Sequence, residues 1–171
     1  MATEKLGEPT EAMRKAFEEH GLDPEQLASY AALIAAFNAG FAGVLLAARL
    51  SGRELPSLGA GDLALFGVAT HKLSRTVAKD KVTAALRAPF TEHRGPAGPA
   101  EVAERPRGRG LRRSIGELLG CPYCLDQWVA TGFVSGAIFA PRATRLVAGV
   151  FASVAIADFL QIAYRAGQKQ L

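Results

Sequence analysis

Hydrophobic and polar positions segregate along this chain on the scale of whole helices. In "PTEAMRKAFEEHG", Ala12, Met13, Ala16 and Phe17 recur at helical spacing and Gly21 offers a stop, which predicts a short amphipathic helix within residues 1–22. The next signal is a helix start, with Asp23 as N-cap, Pro24 in the first turn and Gln26 three residues past the cap. From Gln26 to Ala48 the chain then runs for 23 residues without a charge. About 20 apolar residues cross the hydrocarbon core of a bilayer as a helix, so a helix over about 24–49 is long enough to span. Its small residues fall four apart, at Ala36/Gly40, Ala39/Gly43 and Gly43/Ala47, a spacing that lets helix backbones approach closely in lipid.

Three more helices are expected within residues 23–171. The second, over about 60–88, is the poorest span, because only Leu63 to Thr70 is uncharged after Asp62. It crosses only if Asp62 sits at one interface while Lys72 and Arg75 extend their charged ends to the other. A third, over about 122–140, carries Gly132 and Gly136 and stops at Pro141. The fourth, over about 143–166, contains the 19 residues from Leu146 to Tyr164 with a single charge at Asp158, and Gly149, Ser153 and Ala157 form a small-residue seam. Between the second and third, Thr91 to Gly110 holds three prolines and four glycines and reads as a flexible linker over 91–110. The pattern predicts an all-α, small polytopic membrane protein with about four transmembrane helices, an N-terminal amphipathic helix and a long cytoplasmic basic loop. A soluble four-helix bundle is the alternative, but its helices need charged stripes every three or four residues, and Gln26 to Ala48 has none.

Composition alone does not decide between these, since 49% hydrophobic and 21% charged residues in a 171-residue chain suit either. Charge placement is more informative. Of 20 Lys and Arg residues, 11 fall between Lys72 and Arg113, so the positive-inside rule puts this central segment, and both termini with it, in the cytoplasm. The charged N-terminus has no short apolar region before a cleavage site, so the helices themselves are expected to target the chain. His71, Arg75 and Lys79 lie four apart on one face, suited to anionic lipid headgroups as partners or to a plain solvated face. No specific nucleic acid is expected, because the arginines lack interleaved aromatics and share their segment with Glu92, Glu101 and Glu104.

The only two cysteines and the only tryptophan lie together in "GCPYCLDQW", residues 120–128. Ser114 and Glu117 form a capping box for a short helix ending at Gly120; a new helix follows, with Cys121 near its cap and Pro122 in first position. The helix dipole there favours a thiolate at Cys121. Three readings stand: a redox pair with Cys121 as nucleophile and Cys124 resolving it, half of a zinc site with His71 or His93 adding a ligand, or a purely structural helix start. CPYC is also the active-site tetrapeptide of glutaredoxins, whose βαβ setting is missing here. No catalytic residue is assigned beyond the candidates Cys121 and Cys124, and zinc is the one cofactor they could take.

Two stretches carry a wider resemblance: "ATHKLSRTVAKDKVTAALRAPF" (Ala69 to Phe90) and "GELLGCPYCLDQWVA" (Gly116 to Ala130). They resemble the bacterial domain of unknown function 1360 family, which includes a sporulation-associated membrane protein of bacilli. The similarity runs from about Asp62 to the last helix. Its pattern lands on Thr70, Lys72, Leu73, Arg75, Asp80, Lys81, Arg87, Pro89 and Phe90, then on Cys121, Pro122, Cys124 and Trp128. His71 departs from it where an aromatic residue is expected, and Asp126 where a glycine is usual. The resemblance implies a multi-pass bacterial inner-membrane protein without an assigned activity. From the charge logic, His71, Lys72, Arg75, Cys121, Cys124 and Asp158 share one level, and Asp158, costly alone in an apolar segment, is expected to pair with Arg75, Lys72 or His71. The chain thus reads as a noncatalytic scaffold or docking protein, partnered by the bilayer and by a second copy or another membrane protein; the alternative is a membrane thiol–disulfide or zinc-binding protein.

Overall fold

The computed structural model describes residues 23–169 together with Glu11, Lys15, Glu19 and Gly21; the amphipathic helix expected within residues 1–22 lies outside the described residues. Helix α1 covers Pro24–Leu50 and is capped by Asp23, whose side chain accepts from the Glu25 N–H at 3.1 Å. After a loop comes α2, Ala60–Lys79, then a single 3-10 turn, Lys81–Thr83, and the short α3, Ala84–Arg87. Two antiparallel strands follow, β1 (Thr91–Gly98) and β2 (Glu101–Pro106). The chain ends with α4 (Gly110–Gly120), α5 (Pro122–Phe139) and α6 (Pro141–Gln168), the last two each opened by a proline at the helix start, where its missing N–H costs nothing.

Helix α2 is the centre of the arrangement, packed on α5 along one side and on α6 along another, while α1 rests on α4 and α5. Phe66 of α2 stacks on Phe133 of α5 with ring centroids 5.7 Å apart, and the core around them is Ala69, Ala137 and Ala148, flanked by Leu65, Leu73, Val129 and Phe151. Alanine at the helix crossings allows close approach: Ala69 and Ala148 are both 0% exposed. Along α6 the buried residues Ala148, Ala152 and Ala155 make one helical stripe, and Leu146, Val150, Val154, Phe159, Leu160 and Ile162 face outward.

The helix ends group into two poles. At one, Arg145 grips Asp62 with two hydrogen bonds of 2.8 and 3.1 Å, and Arg53 donates to the Phe139 carbonyl. At the other lie the hairpin and α4, which meet the end of α2 and the start of α1.

This architecture corrects the sequence reading in three places. The fold is not all-α, because the segment expected as a flexible linker over 91–110 contains a paired hairpin. Among the described residues two helices, not about four, are long and apolar enough to cross a membrane: α1 and α6. Helix α2 spreads Asp62, Lys72, Arg75 and Lys79 over 20 residues, and α5 has 18 residues with Asp126 and Gln127 in its first two turns. Finally, the helix expected over 60–88 ends at Lys79, where Asp80 turns extended (φ −65°, ψ 143°) and sends the chain into the hairpin unit.

Candidate functional site

A single arginine organises the hairpin pole. Arg87 is 0% exposed, and its guanidinium is used on every side: Nε donates to Glu104 at 2.6 Å, Nη1 to the Val77 carbonyl at 2.5 Å and to Thr83 Oγ1 at 2.7 Å, and Nη2 to the Asp80 carbonyl at 3.1 Å. It therefore closes the frayed end of α2, holds the turn after it and ties both to β2. Glu104 accepts a further bond from Thr91 Oγ1. Nearby, Arg75 forks onto Glu101 at 2.7 and 2.9 Å, and the Lys81 N–H donates to the Ala100 carbonyl at 2.8 Å. That last bond fixes the hairpin turn, where Ala100 sits at φ 63°, a left-handed conformation that costs a residue with a Cβ.

Helix α4 is laid over this hairpin. Gly116 is buried so closely on Phe90 and Pro106 that no side chain fits between them. Arg112 donates to the Pro89 carbonyl at 2.9 and 2.7 Å, and the Arg107 N–H to that of Phe90. The capping role expected of Ser114 and Glu117 is not what they do, since α4 begins a turn earlier, at Gly110. Glu117 instead holds α1: its carboxylate accepts from Tyr30 at 2.5 Å, from Gln26 at 3.2 Å and from Arg113 at 2.9 Å. Burial works to raise the Glu117 carboxyl, and the hydrogen bonds from Tyr30, Arg113 and Gln26 together outweigh it, leaving it below its usual value. A carboxyl lowered on folding adds stability above its unfolded value of 4.5, and that stability is lost as the pH falls through its folded value. We expect α1 to detach from α4 as the pH drops below about 4.5. Trp128 reports this, because it meets Phe37 of α1 edge to face at 5.1 Å. Tyr30→Phe removes one of the stabilising bonds and should move the fluorescence midpoint to higher pH; an unmoved midpoint contradicts the assignment.

The cysteines sit where α4 hands over to α5. Cys121 is the N-cap of α5, and its Sγ accepts from the Cys124 N–H at 3.3 Å. Lys79 of α2 donates to the Gly120 carbonyl at 2.6 Å, locking the same corner from the other side. Partial burial, the hydrogen bond and charge of Cys121, and the charge of Glu117 push the Cys124 thiol up to about 11. Cys124 is therefore a neutral thiol at physiological pH. Its alkylation by iodoacetamide should accelerate only on approach to pH 11, whereas rapid modification at pH 7 would refute this environment.

Comparison with known proteins places these observations in a family. Residues 65–164 match the model of the family described as Protein of unknown function (DUF1360). The chain belongs to the DUF1360 family. No curated protein and no solved structure matches it. The matched region of this DUF1360 chain begins within α2 and ends within α6, so the hairpin pole and its Arg87 staple lie inside it, while α1 lies outside.

The residues singled out from the sequence do not form one cluster. Arg75, Asp80, Lys81 and Arg87 gather on the hairpin as its supports. Lys72 and Asp158 form an ion pair of 2.7 Å between α2 and α6, and beside them His71 lies flat on the Phe159 ring at 6.1 Å. Trp128 packs on α1, and Cys121 and Cys124 keep the α4–α5 corner. Among the described residues no group of three or more His, Cys, Asp or Glu side chains is placed to hold a metal ion, so His71 does not join the cysteines. The sequence reading missed Glu101, Glu104 and Tyr30. One signal could have found the two glutamates, since acids scattered in a basic segment are natural partners for its arginines.

Proposed function

We propose that this DUF1360 protein is a multi-pass bacterial cell-membrane protein that acts by docking rather than by catalysis, with α1 and α6 in hydrocarbon. One observation carries the reading. Only 6% of the most apolar window of α1, and 17% of that of α6, is buried within the protein. A core helix of a soluble protein hides such a surface, and here Ile34, Leu45, Leu46, Phe159, Leu160 and Ile162 all point outward. An uncleaved role for α1 is supported by its ties to the body of the protein through Tyr30, Gln26 and Phe37.

In this reading the hairpin pole, with the N-terminal end of α1 and the C-terminal end of α6, faces the cytoplasm, following its concentration of basic residues. Helices α2 and α5, not apolar enough to span by themselves, run from pole to pole packed against α1 and α6. Several of those residues are internally committed: Arg75 to Glu101, Arg87 to Glu104 and Arg105 to Glu92. Lys81 and Arg109 remain exposed for anionic headgroups or an acidic partner. The alternative is thiol or zinc chemistry at Cys121 and Cys124; for zinc, no further His, Cys, Asp or Glu side chain is placed beside the two cysteines to hold it among the described residues.

Fractionation tests the proposal. The full chain should stay in the membrane pellet through an alkaline carbonate wash, and a monodisperse protein in the supernatant without detergent overturns it. His93→Cys in the hairpin and Glu54→Cys at the opposite pole, made in a chain with both native cysteines changed to serine, test orientation. An impermeant maleimide should reach the first only in inverted vesicles and the second only in intact spheroplasts.

A further inference from the structure

Helix α1 turns a repeating seam away from the body of the protein. Ala28, Ala31, Ala35, Asn38, Ala42 and Leu45 follow one another at steps of three, four, three, four and three residues, and all of them are exposed. That alternation is the seven-residue repeat that keeps one stripe of a helix against a partner helix along its length. The stripe is about 26 Å long at 1.5 Å per residue, most of the thickness of a hydrocarbon core. It is not the surface that holds α1 in place. Tyr30, which donates to Glu117, and Phe37, which packs on Trp128, each stand one position before a seam residue, so the seam lies about 100° round the helix from them.

Asn38 stands at the middle of the seam and near the middle of α1. Its Nδ2 donates to the Ile34 carbonyl at 2.8 Å, which leaves a second N–H and Oδ1 with no partner among the described residues. At that depth there is no water to satisfy them, and an unpaired polar group facing lipid tails is strongly unfavourable. Polar side chains in spanning helices accordingly face other helices. The residues beside Asn38 let one come close. The outward face of α6 is built of Val150, Val154, Phe159, Leu160 and Ile162, whereas the seam of α1 is alanine at Ala28, Ala31, Ala35 and Ala42. Small residues around a hydrogen-bonding side chain bring helices together where lipid supplies no hydrophobic drive.

The occupant follows from symmetry. Copies inserted in one membrane share one orientation, so two α1 helices meet in parallel, and a two-fold axis along the seam sets Asn38 opposite Asn38. An amide is its own complement, because each Oδ1 can accept the free N–H of the other. A single Asn at such a position also fixes the register and the number of helices. Arg49, the next position of the repeat, lies in the last turn, where water screens the two like charges.

We propose that this protein forms a parallel dimer through α1, with Asn38 bonded to Asn38 across the two-fold axis and the alanines of the seam in contact. The proposal rests on α1 lying in hydrocarbon.

Cysteine cross-linking in cell membranes tests it, in the full chain with Cys121 and Cys124 changed to serine. Ala35→Cys and Ala42→Cys should give an oxidised product of twice the mass of the chain, while Gly40→Cys and Ala47→Cys, exposed on the other side of α1, should not. Asn38→Leu should weaken association by about five-fold or more, read as energy transfer between labelled chains in vesicles. Its Trp128 emission should stay that of the parent, since the Asn38 side chain bonds only within α1. Cross-linking at Gly40 and Ala47 instead, an adduct of another mass, or undiminished association in Asn38→Leu overturns the proposal. A chain that remains in the carbonate-washed pellet but gives no seam cross-link overturns the dimer alone, and a chain that leaves the pellet overturns both the dimer and the membrane placement of α1.

Discussion

Arg87→Met should destabilise the protein by about 3–5 kcal/mol, the usual loss when one partner of a buried ion pair is removed and the other is left in place. The reason lies with Glu104, whose side chain is 8% exposed and whose Oε2 accepts from Arg87 and Thr91. Without the guanidinium, a carboxylate stays buried against one hydroxyl, and the Val77 and Asp80 carbonyls lose their donors. Denaturant unfolding in detergent measures the loss, and amide exchange should localise it to β1, β2 and the last turn of α2. The double variant Arg87→Met, Glu104→Leu provides the decisive comparison. It removes the stranded charge, so it should recover a substantial part of the stability rather than add a second loss. Additive losses would show that the pair is not the staple described.

What could be read from the sequence follows from the range of the interactions involved. Long uncharged runs are local facts, and α1 and α6 stand out because nothing interrupts Gln26 to Ala48 or, except for Asp158, Leu146 to Tyr164. The need of Asp158 for a basic partner is also local chemistry. Which base it takes is not, because the rotation of α2 against α6 decides that Lys72 meets it while Arg75 turns to the hairpin. The hairpin itself was hidden by its own composition. Pro and Gly argue for a mobile linker, and irregularities between His93 and Gly95 and between Pro96 and Gly98 break the two-residue alternation that marks a strand. Its stability comes from Arg87 and Arg75, residues 17 and 26 positions from their glutamates, and no window along the chain displays such pairs together. The end of α2 is equally silent, since Lys79 and Asp80 offer neither a glycine nor a proline to stop a helix.

Gly116→Ala should destabilise the protein, against the expectation from helix propensity. Alanine is favoured over glycine inside a helix by about 1 kcal/mol, and Gly116 lies within α4. Yet the added Cβ would collide with the Phe90 carbonyl oxygen, with the Phe90 carbonyl carbon and Pro106 Cα each at 3.3 Å. All three are backbone atoms, so no side-chain rotation relieves the clash, and α4 must lift from the hairpin. Overpacking of this kind typically costs about 1–3 kcal/mol, which exceeds the propensity gain. Gly132→Ala is the matched control, because it also lies in a helix and a Cβ there meets nothing within 4 Å. The control should hold or raise the melting midpoint while Gly116→Ala lowers it. Because α4 holds α1 through Glu117, Gly116→Ala should also shift Trp128 emission as Phe37 withdraws, and equal midpoints for the two variants would refute the close approach on which the hairpin pole depends.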